Sequence, residues 1–246
     1  MCYSIVRSIR KGMVMIMVKW IENEIDLLLH YNMSMVGGFL GVYALLERGG
    51  NFGSSQTSNM IYLMVGWLHG SVSEILIHTF SLLIYIITLV IAFLLPKYVK
   101  ADMRYLCIIA EMIGVLFAGF LPAEMNPIVA LYPIFAMAGL QWGTFSGAKG
   151  YASSTIFSTN NLRQTVYSFT EYCRTKESAE LQKFKFFMLT LISYHLGVVI
   201  GFISVVSLDI TGIWMCIVPL IVAFTLLTAS TTASRKADFE NLAQRS

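Results

Sequence analysis

Residues 35–59 read MVGGFLGVYALLERGGNFGSSQTSN, and residues 137–161 read MAGLQWGTFSGAKGYASSTIFSTNN. Laid over one another, Met35 meets Met137, Gly37 meets Gly139, Gly41 meets Gly143, Thr57 meets Thr159 and Asn59 meets Asn161. Further along the same register, Trp67 meets Phe169. Each copy is an apolar stretch carrying GxxxG, then a Gly/Ser-rich link, then a polar Thr-x-Asn that opens a short helical segment. GxxxG alone recurs by chance in apolar sequence. The ordered combination is what makes this a repeat.

Outward from these copies the chain is strongly apolar. Of 246 residues, 57% are hydrophobic and only 13% are charged, with a mean hydropathy of +0.69. A soluble domain carries roughly 25% charged residues. The apolar residues gather into blocks close to the ~20 residues that a helix needs to cross a hydrocarbon core of ~30 Å. Six such blocks lie near residues 25–46, 75–95, 105–121, 127–145, 184–206 and 210–227. Two further segments, 57–69 and 159–173, are too short or too polar to cross, the second carrying Arg163 and Glu171. The expected fold is an all-α polytopic membrane protein of six transmembrane helices plus two short helices, re-entrant or interfacial. It divides into a basic, interfacial lead-in (1–24), a first membrane repeat (25–122), a second (123–230) and a tail (231–246).

Charge orients this layout. With six spans, every Lys and Arg except Arg48 falls on one side, and the connections at 123–126 and 207–211 hold none. Basic loops stay cytoplasmic, so both termini are expected in the cytoplasm. Three spans per unit is an odd number, so the second copy enters the membrane from the opposite side. That gives a 3+3 inverted repeat, a construction common among transporters. Gly-rich backbone at membrane depth survives only where protein buries it or water lines it. Ser, Thr and Asn side chains accept from the free N–H groups at helix starts. Two re-entrant helices would therefore bring two positive ends to one centre, suited to a polar or anionic solute. Interfacial helices with ordinary caps and no ligand remain the plainer alternative.

The residues expected at that centre are Gln56, Thr57, Asn59, Gln141, Thr144, Thr159, Asn161 and Arg163. Gln141 and Thr144 serve equally well as interhelical hydrogen-bond glue, and Arg163 as a marker of the cytoplasmic side. Leu at Asn59 or Asn161 is expected to abolish transport while leaving the fold intact. Glu111 and His195 lie inside apolar blocks, where an ionisable group marks a proton or ion relay or else a polar contact across helices. The four cysteines form no CxxC pair, and His69 and His78 near a membrane edge have no carboxylate at ligand spacing. No metal, cofactor or nucleic-acid partner is expected. GxSxG, HExxH and Walker-type patterns are absent, so no enzyme is expected either.

The same stretches resemble the YoaK (DUF1275) family of bacterial membrane proteins. The resemblance covers about 36–227. It rests on Gly37-Gly38-Phe39-Leu40, Tyr43, Leu45-Leu46, Arg48-Gly49-Gly50 and Gln56-Thr57-Ser58-Asn59, then on Phe135-Ala136-Met137, Gln141, Thr144-Phe145, Gly150 and Thr159-Asn160-Asn161-Leu162-Arg163. Gly41-Val42 stands where the family usually has Asp-Ala, and the middle residues of both Thr-x-Asn motifs replace a usual glycine. The resemblance implies a multi-pass protein of a bacterial cell membrane and supplies no substrate. Two functions stay open. One is a small secondary transporter or channel for a small polar or anionic solute. The other is a non-transporting scaffold, sensor or assembly partner, using the GxxxG faces and the basic connection 149–185 toward a homodimer, another protein or anionic lipid.

Overall fold

The computed structural model describes residues 2–52, 56–69, 71–100 and 102–243, with side chains over 23–52, 56–68, 71–100 and 102–232. Nine α-helices in these residues carry the fold: α1 Cys2–Glu47, α2 Gln56–His69, α3 Val72–Tyr98, α4 Met103–Ala118, α5 Pro127–Ala130, α6 Tyr132–Thr144, α7 Thr159–Thr175, α8 Ser178–Leu208 and α9 Ile217–Ala243. A hairpin of two short strands, β1 Gly147–Ala148 and β2 Tyr151–Ala152, lies between α6 and α7, and a 3-10 helix, Asp209–Cys216, joins α8 to α9. Among the described residues, the regular structure is helical apart from that hairpin.

Local chemistry sets the element ends. Gly49 and Gly50, at φ +68 and +74, terminate α1, and Gly50 N–H donates back to Leu45 O. Ser71 accepts from Glu74 N–H to start α3. Asp102 does the same for α4 through Arg104 N–H, and Asn126 caps α5 with Pro127 behind it. The hairpin turn puts Lys149 and Gly150 at φ 51 and 80, the two positive φ values of a two-residue turn.

Several boundaries differ from the sequence reading. The lead-in is not separate from the first block: α1 is one helix of 46 residues, and the side chains of 2–22 lie outside those described. The block at 127–145 is broken at Leu131 into α5 and α6. The connection expected at 207–211 is no loop, because α8 passes at Asp209 directly into the 3-10 helix. The Gly53-Ser54-Ser55 part of the first link lies outside the described residues.

Specific contacts give each helix its direction. Arg104 at the start of α4 pairs with Asp26 of α1 at 2.7 Å. At the other end Arg48 donates to Leu121 O and Pro122 O, at 3.1 and 3.0 Å, just past α4. α1 and α4 are therefore parallel. α4 turns back against α3 through the short 99–102 link. α3 runs parallel to α6, with Ile77 O accepting from Tyr132 Oη and Ala92 lying against Gly143. α1 and α6, the two GxxxG helices, thus point in opposite directions. α8 lies parallel to α1, with Met35 against Gly197 and Phe39 against Gly201. The packing list keeps its form when α1, α2, α3 and α4 are exchanged for α6, α7, α8 and α9: α1 packs on α8 as α6 does on α3, and on α9 as α6 does on α4.

The glycines work inside the chain. A Cβ at Gly38 would stand 1.9 Å from Tyr194 O, and one at Gly197 1.9 Å from Met35 O, so two backbones touch. Between these seams, Met33, Val36, Phe39, Ile108, Ile134, Met137 and Leu220 form one buried cluster. Outside it, Phe80, Phe93, Phe117, Val199, Phe202 and Val206 face outward. The helical stretches at 72–98 and 178–232 are long and apolar enough to cross a membrane, with 28% and 39% of their most apolar windows buried. One end of the bundle is laced by Arg104 with Asp26 and Asp102 and by Lys149 with Glu24. There burial pushes the Asp102 carboxyl up, but the hydrogen bonds and charge of Arg104 outweigh it and hold the group below its ordinary range.

Gly38→Ala and Gly197→Ala are expected to lower the melting temperature of the purified protein sharply, because backbone cannot retreat from the new methyl. Gly66→Ala, whose Cβ would come no nearer than 3.3 Å, to the Ile75 side chain, should melt within a few degrees of the parent; equal melting of all three would remove the close-packed seam.

Candidate functional site

Two helices, α2 and α7, begin around one cavity. α2 folds back along α3, with Asn59 and Tyr62 against His78 and Gly66 against Ile75. It starts beside Tyr85, midway along α3. α7 starts beside the same residue from the other half of the chain. The non-helical segment before α7 crosses α1 at Gly37, where a Cβ would lie 2.2 Å from Thr155 O. Ser153, Thr155 and Ile156 are buried there.

A cavity of about 610 Å³ lies between the two starts, lined by Gln56, Thr57 and Met60 of α2, Tyr85 of α3, Trp142 of α6, Phe157, and Thr159, Asn160 and Arg163 of α7. The lining is aromatic on one side and donor-rich on the other, with no carboxylate among the described residues. Gln56 and Tyr85 are 8% and 4% exposed. Gln56 Nε2 and Tyr85 Oη nonetheless have no hydrogen-bond partner among the described residues. A buried polar group left unpaired costs ~1–3 kcal/mol, and two residues of the cavity lining each carry one. Ser158 stands at the α7 cap without a side-chain cap bond. The first N–H groups of that helix therefore receive no help from it.

Of the residues expected at this centre, Gln56, Thr57, Thr159 and Arg163 line the cavity; Asn59, Gln141, Thr144 and Asn161 do not. Asn161 acts opposite to a cap. Its Nδ2 donates to Ser154 O (2.7 Å) and Phe157 O (3.2 Å), while its Oδ1 accepts from Ser153 Oγ (2.9 Å). Gln141 donates to Met33 O (2.7 Å) and Thr155 Oγ1 (3.1 Å), tying the broken segment to α1. Asn59 donates to Gln56 Oε1 (2.9 Å) and His78 O (3.1 Å), which sets the side chain of Gln56. These three amides hold the walls rather than the contents.

Glu111 and His195 are not brought together. Glu111 is fully buried on α4, its Oε1 accepting from Cys107 Sγ at 3.4 Å. His195 is exposed on α8, where its Nδ1 bonds Leu191 O of the same helix at 2.8 Å. Thr144 ends α6 with its side chain beside the Cys107 thiol of α4.

Sequence reasoning passed over four groups of residues here. Met60, Tyr85, Trp142 and Phe157 complete the cavity; Tyr85 lies in the buried stripe His78, Ser81, Tyr85, Thr88 and Ala92 of α3, a helical spacing that the sequence analysis did not use. Arg48 breaks the charge rule only as a surface residue. It is 1% exposed, and its guanidinium also reaches Tyr43 Oη at 3.4 Å. His78 borders a second cavity of about 420 Å³ with Glu74, Tyr62, Asn51 and Asn126, and Glu74 sits one turn before it, spacing that the sequence reading did not credit. His30, 2% exposed, bonds Ser153 Oγ at 3.1 Å.

The expectation that Leu at Asn59 or Asn161 spares the fold is corrected by these bonds. Asn161→Leu should destabilise the protein by about 2–4 kcal/mol, since Ser154 O and Phe157 O lose their donor, read as a lower thermal midpoint. Asn160→Leu, which removes only an exposed contact to Arg163, should leave the midpoint unchanged.

No curated protein and no solved structure matches this chain. A family model described as a protein of unknown function, DUF1275, matches residues 29–226, a stretch that contains both Thr-x-Asn helix starts and every residue of the cavity between them. The chain therefore belongs to the DUF1275 family.

Proposed function

We propose that this protein is a small secondary transporter or channel of a bacterial cell membrane, binding a small polar or anionic solute in the cavity between the starts of α2 and α7. The observation that carries the reading is the cavity itself, bounded by two helix starts and by Arg163. Two residues of its lining, Gln56 and Tyr85, also hold a buried polar atom without a partner among the described residues. Helix N-termini and guanidinium groups both favour negative charge. The aromatic wall of Tyr85, Trp142 and Phe157 suits the apolar body of an organic anion.

Six spans, formed by residues 25–46 of α1 and by α3, α4, α5–α6, α8 and α9, fit the outward-facing apolar side chains. On a water-soluble surface such large apolar patches would be exceptional. The antiparallel run of α1 and α6 and the exchange of packing partners support a 3+3 inverted repeat, with α2 and α7 as its re-entrant helices. Both chain termini are then cytoplasmic, on the side of Lys97, Lys100, Arg104 and Lys149. Arg48 does not oppose this, because its charge is held by backbone carbonyls and does not belong to a basic loop.

Proteoliposomes holding folded protein should pass at least one member of a panel of chloride, formate, phosphate, acetate and benzoate. Met60→Trp, which fills the cavity, should lower that flux at least about tenfold, and Arg163→Gln should weaken it several-fold, both with unchanged melting. A folded protein that moves no panel member would leave the non-transporting reading, a scaffold or sensor, in its place.

A further inference from the structure

Each asparagine that braces a broken-helix start is tied to a histidine, and the donors and acceptors fix that histidine's tautomer. Asn59 spends both amide hydrogens, on Gln56 Oε1 and His78 O. Its Oδ1 can only accept, so His78 Nδ1, at 2.6 Å, is the donor. Neutral His78 therefore keeps its lone pair on Nε2. On the other half, Asn161 spends both hydrogens on Ser154 O and Phe157 O. Its Oδ1 accepts the single hydrogen of Ser153 Oγ, so His30 Nε2 must donate to that oxygen at 3.1 Å. Neutral His30 then keeps its lone pair on Nδ1, which is buried without a partner among the described residues.

The surroundings differ in access. His78 borders the second cavity, facing Glu74 one turn earlier on α3, while the Tyr62 ring of α2 stacks on it at 5.6 Å. The remaining residues around that cavity, Gly49, Asn51, Val65, Ile77, Asn126 and Ile128, carry no charge. His30 stacks on Phe186 of α8 at 5.4 Å and meets the edge of Tyr31 on its own helix. Asp26, one turn earlier on α1, is engaged by Arg104, and no ion pair reaches His30 among the described residues. The two histidines thus lie on opposite sides of the solute cavity. His78 connects to Gln56 on its wall through Asn59, and His30 connects through Ser153 and Asn161 to the first turn of α7.

We infer that His30 and His78 are the proton-binding sites of this protein, one for each half, and that the proton is its coupling ion. The inference rests on the proposed transport reading and deepens it. A proton taken from water in the second cavity adds to the His78 Nε2 lone pair and leaves an imidazolium beside Glu74. A proton on His30 Nδ1 creates an N–H with no acceptor. That state is stabilised only if the hairpin and α7 part enough to admit water or an anion. In either case the added positive charge favours an anion at the cavity between them, and solute and proton bind cooperatively.

The test needs no solute. Full-length protein carrying Cys2→Ser and Cys173→Ser receives a reporter, Thr159→Cys or Thr57→Cys, and the labelling rate with a water-soluble methanethiosulfonate is followed from about pH 8 to about pH 5.5. His30→Gln keeps a donor where Nε2 stands, and His78→Asn keeps one where Nδ1 stands; neither accepts a proton. Relative to the parent, which cancels the titration of the thiol itself, His30→Gln should abolish a roughly tenfold pH response at position 159 and spare position 57. His78→Asn should do the reverse. Superimposable profiles in parent and variants overturn the inference. A second reading uses the unmodified histidines: ¹⁵N spectra should show the Nε2–H tautomer for His30 and Nδ1–H for His78, and the opposite pair also overturns it. If labelling responds but no panel anion moves, the proton sites stand while transport, and with it the coupling role, falls; if anions move while the variants leave labelling unchanged, transport stands and the proton assignment falls.

Discussion

Backbone that leaves the helix inside an apolar bundle must find partners for its N–H and C=O groups within the protein, and this structure is arranged around that need. The non-helical run from Ser153 to Ser158 crosses α1 inside the fold. Its exposed carbonyls and hydroxyls are met one by one. Asn161 reaches back to Ser154 O and Phe157 O, and Gln141 bridges Thr155 to Met33 O of α1. Gly37 has no side chain because Thr155 O occupies that space. Each unmet group would cost ~1–3 kcal/mol, comparable with a sizeable part of a domain's whole stability. The polar amides that look like ligand groups in the sequence are consumed by this task.

The glycine seams supply the rigid frame. α1 and α8 touch backbone to backbone, as do α3 and α6 at Gly139, where a Cβ would come within 3.0 Å of Tyr85 O. Such contact suits an apolar surrounding, where close packing rather than water exclusion holds helices together. Arg48 locks the opposite end by filling carbonyl positions after α4. Within this frame the starts of α2 and α7 are the elements held mainly by side-chain hydrogen bonds. They are also the elements that bear the cavity and, in the proposed function, the ones that would move during transport.

The cavity chemistry follows from what that bracing leaves over. Asn59 takes up one face of Gln56 and leaves Nε2 bare. Tyr85 sends its hydroxyl into a wall that offers it nothing. Arg163 is placed by Asn160, not by an acid. In the proposed function, this donor-rich wall suits an anion or a carbonyl-bearing solute.

Composition and periodicity determined a good deal unaided. The all-helical fold and the two short helices that begin at or beside Thr-x-Asn were legible because long apolar blocks, Gly-rich links and the internal match are local properties of the chain. Membership of DUF1275 was legible from the same motifs. Which side chains face the cavity was not. Asn59, Gln141 and Asn161 are polar in apolar surroundings whether they bind a solute or a carbonyl, and only their partners, 14 to 108 residues away for Gln141, distinguish the two. Tyr85 and His30 gain their roles from residues on other helices, and Arg48 reads as a loop charge until Leu121 and Pro122 close over it. Sequence sets each residue's chemistry and its helix; the tertiary fold alone decides which hydrogen bonds are already made and which are left for a ligand.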